Sequence, residues 1–243
     1  MNARLSTARL RVASVVSLAA VAGALACSSD KTTAPRDGSV VRFRVSDPIG
    51  DTLDPINPST DRAMDLRQTT VRTKGDTLIF VLHYNGNIQP PSAGASNSAY
   101  GFIDLDVDED NTTGTDALSD IYGGSANIGV DFYIDFADGT ATAAPVANAL
   151  DNIVAVARAS YAGDSAVFKV TRTDLGDSDG NLAFTITTGT ADNATDIAPN
   201  AGAYLLRSNA TVSVARGAVV SPGGSLAATA PARRPHVGWN TQR

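Results

Sequence analysis

The chain has 243 residues, a net charge of −6 and a single cysteine. That length gives one full domain with two tails, large enough for a self-sustaining core, and one cysteine excludes an intramolecular disulfide. Residues 28–196 hold all 25 acids against 11 Lys and Arg, a balance that excludes a nucleic-acid binder gripping phosphates and suits cations instead.

Residues 1–27 divide into the three parts of an export signal. Arg4, Arg9 and Arg11 precede an apolar stretch, Val12 to Ala26, broken only by Ser14 and Ser17. Such a stretch is shorter than the ~20 residues a membrane-spanning helix needs. It ends in Ala24-Leu25-Ala26-Cys27, which resembles the lipobox of bacterial lipoproteins, with Leu25 two places before the cysteine where that motif prefers three. The resemblance implies a lipid on Cys27 and anchoring to a membrane. Ser28 is similar to the outer-membrane sorting signal of such proteins, implying an envelope of Gram-negative type, with residues 28–38 as the tether.

Residues 39–216 are expected to form one all-β domain, a jelly-roll-like β-sandwich. Twenty-four of the acids are Asp and only Glu109 is Glu, as suits a chain with many turns and little helix. Alternation predicts a first strand at 39–45, where Val41, Phe43 and Val45 alternate with Arg42 and Arg44. Strands at 66–73 and 77–84 flank Lys74-Gly75-Asp76 as a hairpin, the second being apolar on both faces. Further strands follow at 100–106 and 130–136. Residues 153–161 and 165–171 flank Ala162-Gly163-Asp164 as another hairpin, and strands at 182–187 and 210–215 complete the domain. Asp177-Ser178-Asp179-Gly180 reads as a turn. Residues 217–243 are rich in Ala, Pro and Gly without apolar periodicity, and are expected to be a flexible tail.

The stretch from Asp104 to Gly114 carries the clearest chemistry. Asp106, Asp108 and Asp110 have D-x-D-x-D spacing, which turns alternate carboxylates toward one centre, and calcium takes 6–8 oxygens at ~2.3–2.6 Å. An EF-hand is excluded, because Asn111 and Ala117 stand where that loop needs Gly and Glu. If strands 100–106 and 130–136 pair antiparallel, Asp131 reaches the same sheet end, where a cation would turn repulsion between facing carboxylates into coordination. Calcium bound by Asp106, Asp108, Asp110 and Asp131 is therefore expected. Alternation also places Val130, Phe132 and Ile134 on one face, and Asp131, Tyr133 and Asp135 on the other.

Three short motifs carry a further resemblance: Asp47-Pro48-Ile49-Gly50-Asp51, the acidic loop with Gly129-Val130-Asp131-Phe132-Tyr133 behind it, and Asp196-Ile197-Ala198-Pro199-Asn200. Together they resemble extracellular β-sandwiches of the carbohydrate-binding-module-9-like and DOMON-like kind. That resemblance implies a jelly-roll-like sandwich and, for some relatives, glycan or haem binding.

Catalytic chemistry finds little support. His83 and His236 are the only histidines, so no zinc set and no haem-type axial pair assembles. A Ser-His-Asp triad would rest on His83, without a nucleophile elbow. Asp47, Asp51 and Asp54 offer acids for a hydrolase, the rival reading. The chain is expected not to be an enzyme. Tyr100, Tyr122 and Tyr133 are the candidate platforms for a glycan, and Trp239 lies in the tail. The sequence thus points to a lipid-anchored, calcium-stabilised binding module for a glycan or an envelope protein, or to a purely structural envelope component.

Overall fold

The computed structural model describes residues 38–53, 64–177 and 179–208, with the backbone of 213–214. Cys27 with its signal, residues 28–37 of the tether, Asp54, His236 and the tail at 217–243 lie outside the described residues.

Strands β1 (Val40–Ser46), β2 (Leu66–Lys74) and β3 (Thr77–Tyr84) form an antiparallel meander. The chain continues through β4 (Tyr100–Asp106), a single helical turn α1 (Leu118–Ile121), β5 (Phe132–Asp135) and β6 (Ala143–Asn148). Then come β7 (Ile153–Ala162), β8 (Ser165–Thr171), β9 (Leu182–Gly189), β10 (Ala194–Ala198), β11 (Tyr204–Leu206) and β12 (Ser213–Val214). The ladder runs β1-β2-β3-β8-β7-β6-β5-β4-β9-β11-β12, with β10 also paired to β9. The fold is all-β, as expected, and its layers belong to one continuous sheet.

That sheet curls until its two ends face each other. Phe43 on β1 and Phe80 on β3 lie 5.4 and 5.6 Å from the ring of Phe184 on β9. Phe43 also meets Tyr204 on β11 at 5.1 Å. The Tyr84 and Thr188 hydroxyls, on β3 and β9, are 3.1 Å apart. The alternating apolar residues of each strand point into this sandwich-like interior, which explains the period of two in the sequence.

A second, smaller apolar cluster covers the outer face of β4, β5 and β9. Phe102, Tyr133 and Ala183 meet Ala117, Leu118, Ala126 and Ile128 there. The β4–β5 connection folds back over the sheet, and the Leu118 backbone N–H donates to the buried Asp104 Oδ2 at 2.7 Å. This corrects one expectation about faces. Val130 joins Tyr133 in the outer cluster, whereas Ile134 belongs to the inner one. The reason is local: β5 begins only at Phe132, so strict alternation does not extend back to Val130.

Three strands carry no signal strong enough to predict them. β6 contains Pro145, which sits just beyond Val146, the last partner of β5, where a missing N–H leaves no ladder bond unmade. β10 and β11 are short, and they share the free edge of β9. Both expected hairpins form, β2–β3 and β7–β8. Of the turn expected at 177–180, Ser178 lies outside the described residues, and Asp177 Oδ1 accepts the Gly180 N–H at 2.7 Å.

Candidate metal centre

β4 and β5 pair antiparallel, with Leu105 opposite Phe132. That register brings Asp106, the last residue of β4, beside Asp131, which precedes β5. Asp106, Asp108 and Asp131 each offer a carboxylate oxygen, all within 4.8 Å of one another. Opposite ligands of one calcium stand ~4.6–5.2 Å apart, so this spacing fits a single coordination sphere.

The three differ in how they are held. Asp106 is 2% exposed, and its Oδ1 has no hydrogen-bond partner. Burial, then the neighbouring Asp131 charge, pushes its carboxyl up to about 7. Asp131 Oδ2 accepts the Val107 N–H at 2.9 Å and the Asp108 N–H at 3.3 Å, and burial raises its pKa too. Asp108 is exposed; its Oδ1 accepts the Asp110 N–H at 2.9 Å and its Oδ2 the Thr113 hydroxyl at 3.1 Å.

Asp110 stands apart from the cluster. Its Oδ1 accepts the Thr112 N–H at 2.9 Å and the Thr112 hydroxyl at 2.6 Å, bonds that hold the carboxyl below its usual range. The spacing that singles out Asp110 is the same as for its neighbours, but its Oδ1 is turned to Thr112 within its own turn, and its oxygens are not grouped with those of Asp106, Asp108 and Asp131.

Two glycines press this loop against the sheet. A Cβ on Gly129 would overlap the carbonyl oxygens of Thr113 and Asp110, and one on Gly114 would overlap the Val130 carbonyl. Gly114 also has φ +68°, a conformation that favours glycine. Thr115 and Val130 exchange backbone bonds of 3.0 and 2.7 Å across this contact. Glu109 pairs with Arg207, which ties the loop tip to the segment after β11.

A second carboxylate group assembles elsewhere. Asp47 and Asp51, named above as acids for a hydrolase, come together with Asp196, their ligand atoms also within 4.8 Å of one another. Sequence reasoning does not find this set. Asp196 lies on β10, a strand without a strong pattern, and nothing local links it to Asp47.

The other sites named from the sequence are dispersed. Tyr133 is 2% exposed and its hydroxyl donates to Asp151 Oδ1 at 2.7 Å, so its ring offers no open face to a glycan. Tyr100 and Tyr122 are half-buried at the border of the outer cluster. His83 Nδ1 lies 2.8 Å from the Ser165 hydroxyl, which donates to Asp164 Oδ1 at 2.7 Å. Here serine bridges histidine and aspartate, whereas a catalytic triad needs histidine in the middle. The chain matches no known protein-family model, and no curated protein matches it.

Proposed function

We propose that this protein is an exported, lipid-anchored envelope component whose β-sandwich is a calcium-stabilised, non-catalytic binding module. The observation that carries the calcium reading is the convergence of Asp106, Asp108 and Asp131, with a buried Asp106 oxygen that no protein donor satisfies. Leaving such a group unpaired costs about 1–3 kcal/mol, and a bound cation removes that cost. All donors are oxygens, which favours a hard cation over a transition metal.

Extracellular calcium modules bind at ~10⁻⁴–10⁻³ M. Millimolar calcium then adds roughly 0.4–1.4 kcal/mol through this loop, a rise of only a few degrees in melting temperature. Asp108→Ala should lose the loop's share of the rise while the domain still folds. The measurement is a melt of the wild type and the variant in chelator and in calcium; an undiminished rise in the variant would leave the loop as a solvated turn.

Envelope anchoring rests on Ala24-Leu25-Ala26-Cys27. Cys27→Ser should move the protein from the membrane to the soluble fraction and abolish incorporation of a fatty-acid analogue. Labelling that survives the substitution would refute the anchor.

Glycan is the ligand class for which Tyr100 and Tyr122 remain as ring platforms. A second reading, a structural component packed against another envelope protein, draws on the exposed Ile153, Val154 and Val156 of β7, since clustered exposed apolar residues mark contact surfaces. A glycan array separates the two: binding that Tyr100→Ala and Tyr122→Ala abolish supports the first, and binding to no glycan supports the second.

A further inference from the structure

We propose that Asp47, Asp51 and Asp196, with Asp65 beside them, form a second divalent-cation centre, built for calcium, at the seam where the two ends of the curled sheet meet. The site is independent of the acidic loop and of any reading of what the module binds.

The four carboxylates come from four places in the chain. Asp47 directly follows β1, Asp51 lies four residues further on, Asp65 directly precedes β2, and Asp196 is inside β10. Each has one oxygen fixed by a protein donor. Asp47 Oδ1 accepts the Tyr204 hydroxyl at 3.4 Å, and Asp51 Oδ2 accepts the Asn200 side-chain amide at 2.7 Å. Asp65 Oδ2 accepts the Gly50 N–H at 3.1 Å and the Asn85 amide at 3.0 Å, while Asp196 Oδ2 accepts the Leu66 N–H at 2.6 Å. The other oxygen of all four is buried and has no partner.

This burial is deep. Asp196 is 1% exposed, Asp47 7% and Asp65 8%. Among the described residues no Lys or Arg forms an ion pair with any of the four. Several uncompensated carboxylates at one buried point are among the costliest arrangements a fold can hold. A cation at their centre reverses the sign of every term, turning mutual repulsion into shared attraction.

The donors that hold the second oxygens play the part of outer-shell groups, orienting each carboxylate toward the ion. An all-oxygen, carboxylate-rich set selects a hard cation. Calcium suits it better than magnesium, which dehydrates reluctantly and keeps several waters, a poor match for a site with so little exposed surface. The position also gives the ion a task. Leu53 N–H donates to the Thr195 carbonyl at 2.8 Å and Met64 N–H to the Thr195 hydroxyl at 2.9 Å. A cation here would therefore clamp the β1–β2 connection onto β10, closing the seam of the sandwich. Deeper burial, with an unpartnered buried oxygen on each of Asp47, Asp51 and Asp196, predicts tighter binding than at the loop.

Calcium binding to the full chain, stripped with chelator and measured by equilibrium dialysis and titration calorimetry, tests this directly. The wild type should bind two ions per chain, the tighter at least tenfold stronger than the weaker. Asp51→Asn, at a half-buried position, and Asp196→Asn, which keeps an acceptor for the Leu66 N–H, should each abolish the tight site or weaken it at least tenfold. Neither should change the weak one. Asp108→Ala should remove only the weak one, so failure of the loop and failure of the seam are separately visible. A wild type whose binding is unaffected by Asp51→Asn would overturn the proposal, because this variant needs no buried replacement. A wild type that binds no ion lost in either seam variant would show that the four carboxyls share protons instead.

Discussion

Replacing Phe184 with alanine should destabilise the domain by about 3–5 kcal/mol, the range for emptying a buried aromatic site. Phe184 is fully buried in β9, and its ring meets Phe43, Phe80 and Tyr204 at centroid distances of 5.4, 5.6 and 5.3 Å. These partners lie on three other strands, so one side chain spans the interior from β1 and β3 to β9 and β11. For a domain of this size the loss corresponds to a fall of roughly 6–20 °C in melting temperature. A volume-conserving change such as Phe184→Met should recover much of it. Melts of the three proteins under one buffer condition make the comparison. An alanine variant melting within two or three degrees of wild type would mean that the ends of the sheet do not pack on each other.

The second large effect is a reversal of pH dependence by calcium. Asp47, Asp106 and Asp196 have folded-state pKa values pushed up to about 7, about 7 and about 8, from an ordinary value of 3.8. In the absence of metal the folded chain therefore holds protons that the unfolded chain has already released. Stability must fall as pH rises from about 4 to about 8. Each unit of pKa difference is worth ~1.4 kcal/mol, and neighbouring carboxyls share their protons, so the total is on the order of several kcal/mol. Calcium bound at the two proposed centres would compete with those protons. Its stabilisation should be smallest near pH 4 and largest near pH 8, flattening or inverting the slope, and its binding near neutral pH should release protons. Thermal melts from pH 4 to 8 in chelator and in millimolar calcium give both slopes. A metal-free melting temperature that climbs across this window would show that these carboxyls are not strained by burial.

Local patterning was enough for every feature that depends on neighbours in the chain. Alternation of Leu182, Phe184 and Ile186 with small or hydroxylated residues fixes a strand with one interior face. Gly75 and Gly163, both at positive φ, let the chain reverse and set the β2–β3 and β7–β8 hairpins. The acidic loop is legible for the same reason, since Asp106, Asp108 and Asp131 belong to one β4–β5 connection and local pairing is enough to collect them. Within that loop Asp110 was not separable from its neighbours. Spacing places a carboxylate near a centre, but only the tertiary structure shows its Oδ1 turned to Thr112 and away from the group at Asp106. Tyr133 is a parallel case: strand alternation turns it outward, and the β4–β5 connection then folds over it and buries it.

The tertiary structure alone decided the seam. Asn200 and Asp51 are 149 residues apart and Asp196 and Leu66 are 130 apart, yet they bond because the sheet curls until β10 meets the start of β2. Curl and closure arise from the accumulated twist of many strands and from aromatic packing across the interior, properties that no window of sequence contains. Asp47 and Asp51 read from the sequence as acids for a hydrolase; only a closed sheet brings them together with Asp196.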